Sequence, residues 1–242
     1  MTTSGGNNGL GTLYGIGVGP GDPELLSLKA HKTLQEVAVI SFTQLDDGQE
    51  SFALGVVRGV FEAAQPELIA ITIPSDDDTP VSPETWTNAA EEIATQLRKG
   101  SNVAFITEGD PMLYSECLQV LESVRIILPD LNIEVIPGVS SVMAAAGSSG
   151  KPLVTHGQRL TILPKVYGID DLMEAITYSD TTVLMEVNRD LLQALADREK
   201  LGLVGTVTYV RQASTARENV VEDISQLSGE DLDYFSLLII RR

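Results

Sequence analysis

The fold is decided by a glycine-rich run near the N-terminus, Gly15-Ile16-Gly17-Val18-Gly19-Pro20-Gly21-Asp22-Pro23. The run follows a short apolar stretch typical of a buried strand and precedes a helical pattern, where the backbone is expected to pass close to a ligand. It lacks the third glycine of the dinucleotide fingerprint and the lysine of the phosphate-binding loop. Pro20 removes a backbone donor and Asp22 adds negative charge, so the loop favours a neutral or cationic ligand. A tight turn without a ligand is the alternative.

Short apolar runs alternate with helical patterns from residue 10 to about residue 150, which predicts a mainly parallel sheet with crossover helices. The predicted strands are 12–16, 37–42, 68–73, 103–107 and 133–136. The clearest helix starts at Ser82, with Pro83 at its first position, and presents one apolar face up to residue 97. Another helix is expected directly after Pro23, with positions 26, 30, 34 and 37 on its apolar face.

A second series of strands follows residue 150, at 160–163, 182–187, 206–211, 220–223 and 235–240, with helices at 170–178 and 189–200. This pattern predicts a second α/β domain with a mixed sheet. The Gly/Ser/Pro-rich segment 147–152 marks the expected boundary. We therefore expect domains at 10–150 and 151–242, preceded by a disordered tail at 1–9.

The composition excludes several classes of protein. A net charge of −18 argues against nucleic-acid binding, which depends on clustered Lys and Arg. No apolar stretch is long enough to cross a bilayer, and residues 1–9 do not resemble a signal peptide, so we expect a cytoplasmic protein without a membrane partner. Cys117 is the only cysteine and there are two histidines, which excludes an internal disulfide and argues against a protein-bound metal.

Two further motifs each follow a predicted strand. Glu108-Gly109-Asp110-Pro111 comes after the fourth strand, and Pro137-Gly138-Val139-Ser140-Ser141 comes after the fifth. Taken alone, the first is typical of a turn closed by its own Asp side chain, and the second of an ordinary capped helix. Open α/β sheets bind ligands at the carboxyl ends of their strands, so we expect one crevice to collect both motifs and the glycine-rich run.

Together these segments resemble the tetrapyrrole (corrin/porphyrin) methyltransferases of the cobalamin pathway, and among them the precorrin-2 or cobalt-factor II C20-methyltransferases. The likeness covers nearly the whole chain and rests on segments 13–30, 107–115 and 137–141. The narrower likeness also rests on segments 160–164 and 234–239. Two positions depart from the subfamily pattern: Glu186 stands where a lysine is usual, and segment 39–42 lacks a Tyr-Pro pair.

The resemblance implies two α/β domains that form a trough, a homodimer, and an enzyme of porphyrin and cobalamin biosynthesis that methylates C20 of its tetrapyrrole substrate. It implies S-adenosyl-L-methionine as the cofactor, held largely by backbone. The cofactor-binding residues it implies are Pro20, Gly109, Asp110, Leu113, Ser140, Ser141 and Met185. A precorrin carries many carboxylates, so basic groups must converge in this acidic protein. The expected substrate-binding residues are Arg159, Arg189, Arg211 and His156.

Methyl transfer from a sulfonium to an electron-rich carbon depends mainly on positioning, which can lower a barrier by roughly 7–11 kcal/mol. A base is needed only to take the ring proton afterwards, and the candidates are Asp110, Tyr114, Glu186 or water. Four alternatives stay open: another ring position, a non-tetrapyrrole acceptor such as a modified histidine, a nicotinamide enzyme, or a non-catalytic descendant that binds ligand. The failed fingerprint disfavours the nicotinamide enzyme.

Overall fold

The structure, a computed structural model, describes residues 9–61, 64–75, 79–165, 168–185, 187, 205–227 and 234–242. The chain divides into two compact units, Met1–Ser140 and Ser141–Arg242. This division falls ten residues before the end of the predicted first domain. The difference concerns one helix, which follows Ser140 and packs with the second sheet.

The first unit contains five strands and four α-helices within the described residues. Its elements are β1 (Leu13–Gly17), a 3₁₀ turn (Pro23–Leu25), α1 (Leu28–Glu36), β2 (Val39–Leu45), α2 (Phe52–Phe61), β3 (Glu67–Ile73), α3 (Pro83–Arg98), β4 (Val103–Thr107), α4 (Cys117–Ile127) and β5 (Ile133–Ile136). The strands form one parallel sheet in the order β3-β2-β4-β1-β5. The predicted parallel sheet is confirmed.

Helices cover both faces of this sheet, which explains why its strands are nearly unbroken apolar runs. On one face α3 and α4 pack against Leu13, Val103 and Phe105. On the other face α1 and α2 pack against Ile16, Ala104 and the rest of a second cluster. Every residue of β4 is buried, so the centre of the sheet is shielded from solvent.

Serine side chains cap the starts of α1 and α3. Ser82 caps α3 by accepting a hydrogen bond from the Thr85 N–H, as predicted. The prediction of a helix directly after Pro23 is wrong in its start, because Leu26 has an extended backbone and α1 begins only after Ser27. Ser27 accepts the Ala30 N–H at 3.1 Å and so provides the cap.

The second unit also has helices on both sides of a sheet. Its described elements are α5 (Ser141–Ser149), β6 (Leu160–Leu163), α6 (Ile169–Tyr178), β7 (Thr181–Leu184), β8 (Thr206–Arg211), β9 (Asn219–Val221), a 3₁₀ turn (Ile224–Gln226) and β10 (Ser236–Arg241). The strand order is β6-β7-β10-β8-β9, with only the β6–β7 pair parallel, which confirms the predicted mixed sheet. Val142 and Ala145 of α5 pack against Val183 and Val210, which places α5 in this unit.

Several predictions fall on residues outside the described part of the chain. They are the tail up to residue 8, the helix at 189–200, and the candidate site residues Glu186 and Arg189. Within the described ranges, none of the helices has the length and apolar character that crossing a bilayer requires.

Candidate functional site

Three loops leave three neighbouring strands of the first sheet at the same edge. The first loop (18–22) follows β1, the second loop (108–115) follows β4, and the third loop (137–140) follows β5. Because β4, β1 and β5 are adjacent and parallel, their carboxyl ends lie side by side. The expected meeting of the three motifs is therefore what the sheet order produces.

The first and second loops are paired through their backbones. The Val18 N–H donates to the Thr107 carbonyl at 2.9 Å, which extends the β1–β4 pairing past the strand end. Gly19 and Gly109 then exchange two hydrogen bonds, with N to O distances of 3.2 and 2.9 Å. The two loops thus form one connected backbone surface.

Asp110 joins the second loop to the third. One carboxylate oxygen accepts the Met112 N–H at 2.9 Å and closes a turn within its own loop. The other oxygen accepts the Gly138 N–H at 3.0 Å, across 28 residues of sequence. The side chain therefore fixes the spacing of two loops, a role that the turn motif alone did not reveal.

Two glycines allow the three loops to approach closely. A Cβ on Gly138 would lie 2.1 Å from the Gly109 carbonyl oxygen and 2.9 Å from the Gly17 Cα. A Cβ on Gly17 would lie 2.5 Å from the same oxygen and 2.7 Å from the Gly138 nitrogen. Because real Cβ atoms do not make such contacts with backbone, no side chain fits where these loops meet.

The rest of the first loop is used locally. Pro20 is buried, and Asp22 caps the 3₁₀ turn by accepting the Glu24 N–H at 2.8 Å. The Asp22 carboxylate is thus engaged with backbone at the exit of the loop.

The second loop carries two more predicted site residues. Leu113 is half-buried, and its N–H donates to the Asp110 carbonyl at 3.2 Å. Tyr114 is exposed and has a left-handed backbone, with φ of +51°. A non-glycine residue in this conformation is uncommon and is found more often at functional sites.

Glu108 opens the second loop and was not among the predicted site residues. Its side chain is half-buried, and loss of solvation raises its pKa above the ordinary value. The negative charge of Glu116 acts in the same direction, whereas nearby backbone N–H groups, first that of Glu108 itself and then that of Ala53 in α2, oppose the rise. The available signal was the strand alternation, which puts residue 108 on the same face as positions 104 and 106.

Cys117, the first residue of α4, is a structural residue. It is fully buried at the start of α4, and a Cβ on Gly15 would come within 2.7 Å of its sulfur. Burial, followed by the charges of Asp110 and Glu116, raises the pKa of the thiol to about 12. The thiolate is therefore scarce at neutral pH, in line with a buried helix thiol rather than a nucleophile.

The remaining predicted site residues are spread over several elements. Ser140 ends the third loop and Ser141 begins α5, and both are half-buried.

In the second unit Met185 follows β7, and its N–H donates to the Leu163 carbonyl at 3.0 Å. Arg211 ends β8 and is half-buried, whereas His156 and Arg159 are exposed. Among the described residues, no group of three or more His, Cys, Asp or Glu side chains could hold a metal ion.

Comparison with known proteins gives consistent matches. Residues 12–227 match the family model of the tetrapyrrole (corrin/porphyrin) methylases. The cobalamin biosynthesis protein CobIJ of Mycobacterium tuberculosis is 31% identical over 240 residues, and the match covers 95% of this chain but only 46% of that protein. The chain thus spans about half the length of this relative.

A relative of matching length is the precorrin-2 C(20)-methyltransferase of a Sinorhizobium species, which is 28% identical over 96% of each chain. Among solved structures, the uroporphyrin-III C-methyltransferase of Thermus thermophilus, complexed with S-adenosylhomocysteine, is 23% identical with a TM-score of 0.65. That match covers 95% of this chain and 96% of the Thermus chain, and it shows a shared fold.

Proposed function

Because the chain belongs to the tetrapyrrole (corrin/porphyrin) methylase family, we propose that it transfers a methyl group from S-adenosylmethionine to C20 of a precorrin-2-type tetrapyrrole. The name of the Sinorhizobium relative supports the position, since the two chains cover each other almost completely. The observation that carries the proposal is the junction of three loops around Gly17, Gly109 and Gly138.

The junction suits a ligand that is bound by backbone. Side chains are excluded where the loops meet, and the Gly19–Gly109 pair joins the first and second loops through their backbones at the sheet edge. We assign the cofactor to the predicted residues Pro20, Gly109, Asp110, Leu113, Ser140, Ser141 and Met185. When bound, S-adenosylmethionine supplies an electrophilic methyl group on a positively charged sulfur.

The protein's own contribution is positioning. Both oxygens of Asp110 are occupied by backbone N–H groups, so this carboxylate sets loop spacing, and we give it this role ahead of proton transfer. A rigid junction can hold two reacting groups at near-contact distance, which is worth roughly 7–11 kcal/mol of barrier. Of the other predicted bases, Tyr114 lies exposed on the second loop, whereas Glu186 lies outside the described residues.

The acceptor carries several carboxylates, while the protein has a net charge of −18. We propose that Arg211 and Arg159, together with Arg189 and His156, bind these acids, since a guanidinium pairs with a carboxylate in two-point contact. Replacing Arg211 with Ala should weaken tetrapyrrole binding, whereas replacing Arg58, which pairs with Glu50 in the first unit, should not. Equal affinities for both variants would remove Arg211 from the site.

We also propose that the protein is a cytoplasmic homodimer. Leu28, at the start of α1, is 81% exposed, and a second copy would remove such apolar surface from water. Light scattering after size exclusion distinguishes a dimer from a monomer, and a monomer at working concentrations would contradict the proposal.

Two measurements test the activity. Calorimetry should show binding of S-adenosylhomocysteine. Incubation with precorrin-2 and a methyl-labelled donor should add one methyl group by mass, and carbon NMR should place it on C20. A label at another carbon would point to a different ring position, and binding without any mass gain would indicate a different acceptor or a non-catalytic protein. Repeating the incubation with the cobalt-bearing substrate shows which form is preferred.

A further inference from the structure

We propose that the exposed ring of Tyr114 is a platform on which one face of the tetrapyrrole macrocycle stacks. This inference rests on the proposed function and deepens it, because it names the part of the acceptor that the second loop contacts. The role belongs to the aromatic ring of Tyr114, whereas the resemblance to the family pointed to this residue only as a candidate base.

The backbone of Tyr114 is strained. Its φ of +51° lies in the left-handed region, which favours glycine and which bulky residues rarely adopt. Such a conformation persists only where the surrounding structure imposes it, and residues of this kind cluster at ligand sites. A glycine at this position would remove the strain, so the ring of Tyr114 must supply a contact that offsets it.

Hydrogen bonds on both sides hold Tyr114 in this conformation. On its N-terminal side, the Leu113 N–H donates to the Asp110 carbonyl at 3.2 Å. On its C-terminal side, the Ser115 hydroxyl donates to Thr107 Oγ1 at 3.0 Å. The second loop is thus fixed immediately before and immediately after the tyrosine.

The Ser115 contact also places Tyr114 beside the cofactor loops. Thr107, which receives the Ser115 hydroxyl, is the last residue of β4 and is buried. Its carbonyl accepts the Val18 N–H of the first loop at 2.9 Å. The Cys117 N–H donates to the Ser115 hydroxyl at 3.0 Å and ties it to the start of α4. Tyr114 is therefore presented at the edge where the first and second loops are joined.

The second loop leaves two large apolar side chains in water. Tyr114 is 56% exposed and Met112 is 63% exposed, although only one residue separates them. Apolar groups exposed together mark a surface that a ligand covers. Aromatic rings stack on other π systems, and methionine sulfur also favours aromatic contacts. A tetrapyrrole offers two π faces and carries its carboxylates at the periphery, so a contact with its face suits a protein of charge −18.

The test compares Tyr114→Gly with the wild type, using Gln65→Gly as the matched control. Gln65 is exposed in the first unit and also has a left-handed backbone, with φ of +48°. Both variants should relieve strain and raise the melting temperature by roughly 1–4 °C. Affinity for precorrin-2 should fall by about 10-fold or more in Tyr114→Gly and stay unchanged in Gln65→Gly. Affinity for S-adenosylhomocysteine should be unchanged in both.

A second variant, Tyr114→Phe, separates the ring from the hydroxyl group. It keeps the ring, so precorrin-2 should bind as tightly as to the wild type and most of kcat should be retained. A general base contributes about 100-fold or more to a rate, and a loss of that size in Tyr114→Phe would overturn the inference in favour of the hydroxyl.

NMR with uroporphyrin III, a stable conjugated tetrapyrrole, gives a readout that needs no turnover. The chain contains six tyrosines, and the ring signals of Tyr114 are identified by their absence in Tyr114→Phe. The ring current of the stacked macrocycle should move these signals upfield. If the probe binds and these signals do not move, the inference is overturned.

The other outcomes are also decisive. Unchanged precorrin-2 affinity of Tyr114→Gly, beside a wild type that binds precorrin-2, overturns the inference alone. So does a change from dimer to monomer in Tyr114→Gly with tetrapyrrole affinity kept, because the ring would then contact a second copy. A lower melting temperature with weaker S-adenosylhomocysteine binding would make Tyr114 structural and overturn the platform. If the wild type binds the analogue but neither tetrapyrrole, the proposed function fails and the inference fails with it.

Discussion

Replacing Gly138 with Ala is the most direct test of the three-loop junction. The added methyl group would lie 2.1 Å from the Gly109 carbonyl oxygen, whereas real Cβ contacts essentially never fall below 3.0 Å. The third loop would therefore have to retreat by about 0.9 Å. The atoms that the added methyl group meets on Gly109 and Gly17 are backbone atoms, so no flexible side chain can move to relieve the clash.

The magnitude follows from that displacement. Overpacking a close contact costs about 1–3 kcal/mol of stability, and a shift of about 1 Å in a positioning element can cost about 100-fold in rate. The retreat would also stretch the 3.0 Å hydrogen bond from the Gly138 N–H to Asp110. We expect weaker binding of S-adenosylhomocysteine together with a lower free energy of unfolding.

Calorimetric titration with S-adenosylhomocysteine and urea unfolding measure the two effects. Gly59→Ala is the matched control, because Gly59 is exposed within α2 and a Cβ there meets nothing within 4 Å. It should bind the analogue normally and gain about 0.5–1 kcal/mol, as alanine does in helices. If Gly138→Ala bound the analogue as tightly as the wild type and unfolded at the same urea concentration, the close-packed junction would be refuted.

Three further outcomes are expected. The amide side chain of the Asp110→Asn variant has one acceptor oxygen and cannot accept the Met112 and Gly138 N–H groups as the carboxylate does. The free energy of unfolding in urea should fall by about 1–3 kcal/mol, and S-adenosylhomocysteine should bind more weakly. Unchanged stability would contradict the bridging role. Cys117, with its pKa raised to about 12, should not react with a thiol reagent in the native protein at pH 8 but should react fully in denaturant. Rapid labelling of the native protein would contradict the burial of this thiol. The pKa of Glu108 is raised on folding, so its contribution to stability is present in acid and is lost as the pH rises. Glu108→Gln should therefore have a higher melting temperature than the wild type at pH 8, and this difference should narrow toward pH 4. A lower melting temperature of the variant at pH 8 would contradict this sign.

Strands were predicted more accurately than helices, for reasons visible in the residues. Segments 103–107, 133–136, 160–163 and 206–211 match the observed strands, because each is a short apolar run bounded by polar or turn residues. The helix α2 was not predicted. Its sequence, FALGVVRGVF, contains three valines and two glycines, which favour strands and turns over helices, and burial of Leu54, Val57 and Phe61 overrides that preference.

The site was predictable in its parts and not in its connections. The three motifs were found because each follows a strand, and the turn within Asp110-Pro111-Met112 follows from local chemistry. The link from Asp110 to Gly138 depends on β1 lying between β4 and β5, and no local pattern specifies that order. Glu108 was overlooked because the burial and the Glu116 charge that raise its pKa arise only in the folded chain.

The strand order also affects how the chain folds during its synthesis. β1 pairs with β4 from Leu13 to Val103, a separation of 90 residues, and the first loop acquires its Gly109 partner only through that pairing. At about 5–20 residues per second, a ribosome needs roughly 5–20 s to synthesise the intervening segment. During that interval the apolar residues of β1 have no sheet to join, so the nascent chain is exposed to aggregation and to capture by chaperones. We therefore expect ligand binding to appear late in synthesis, after β4 and β5 have joined β1.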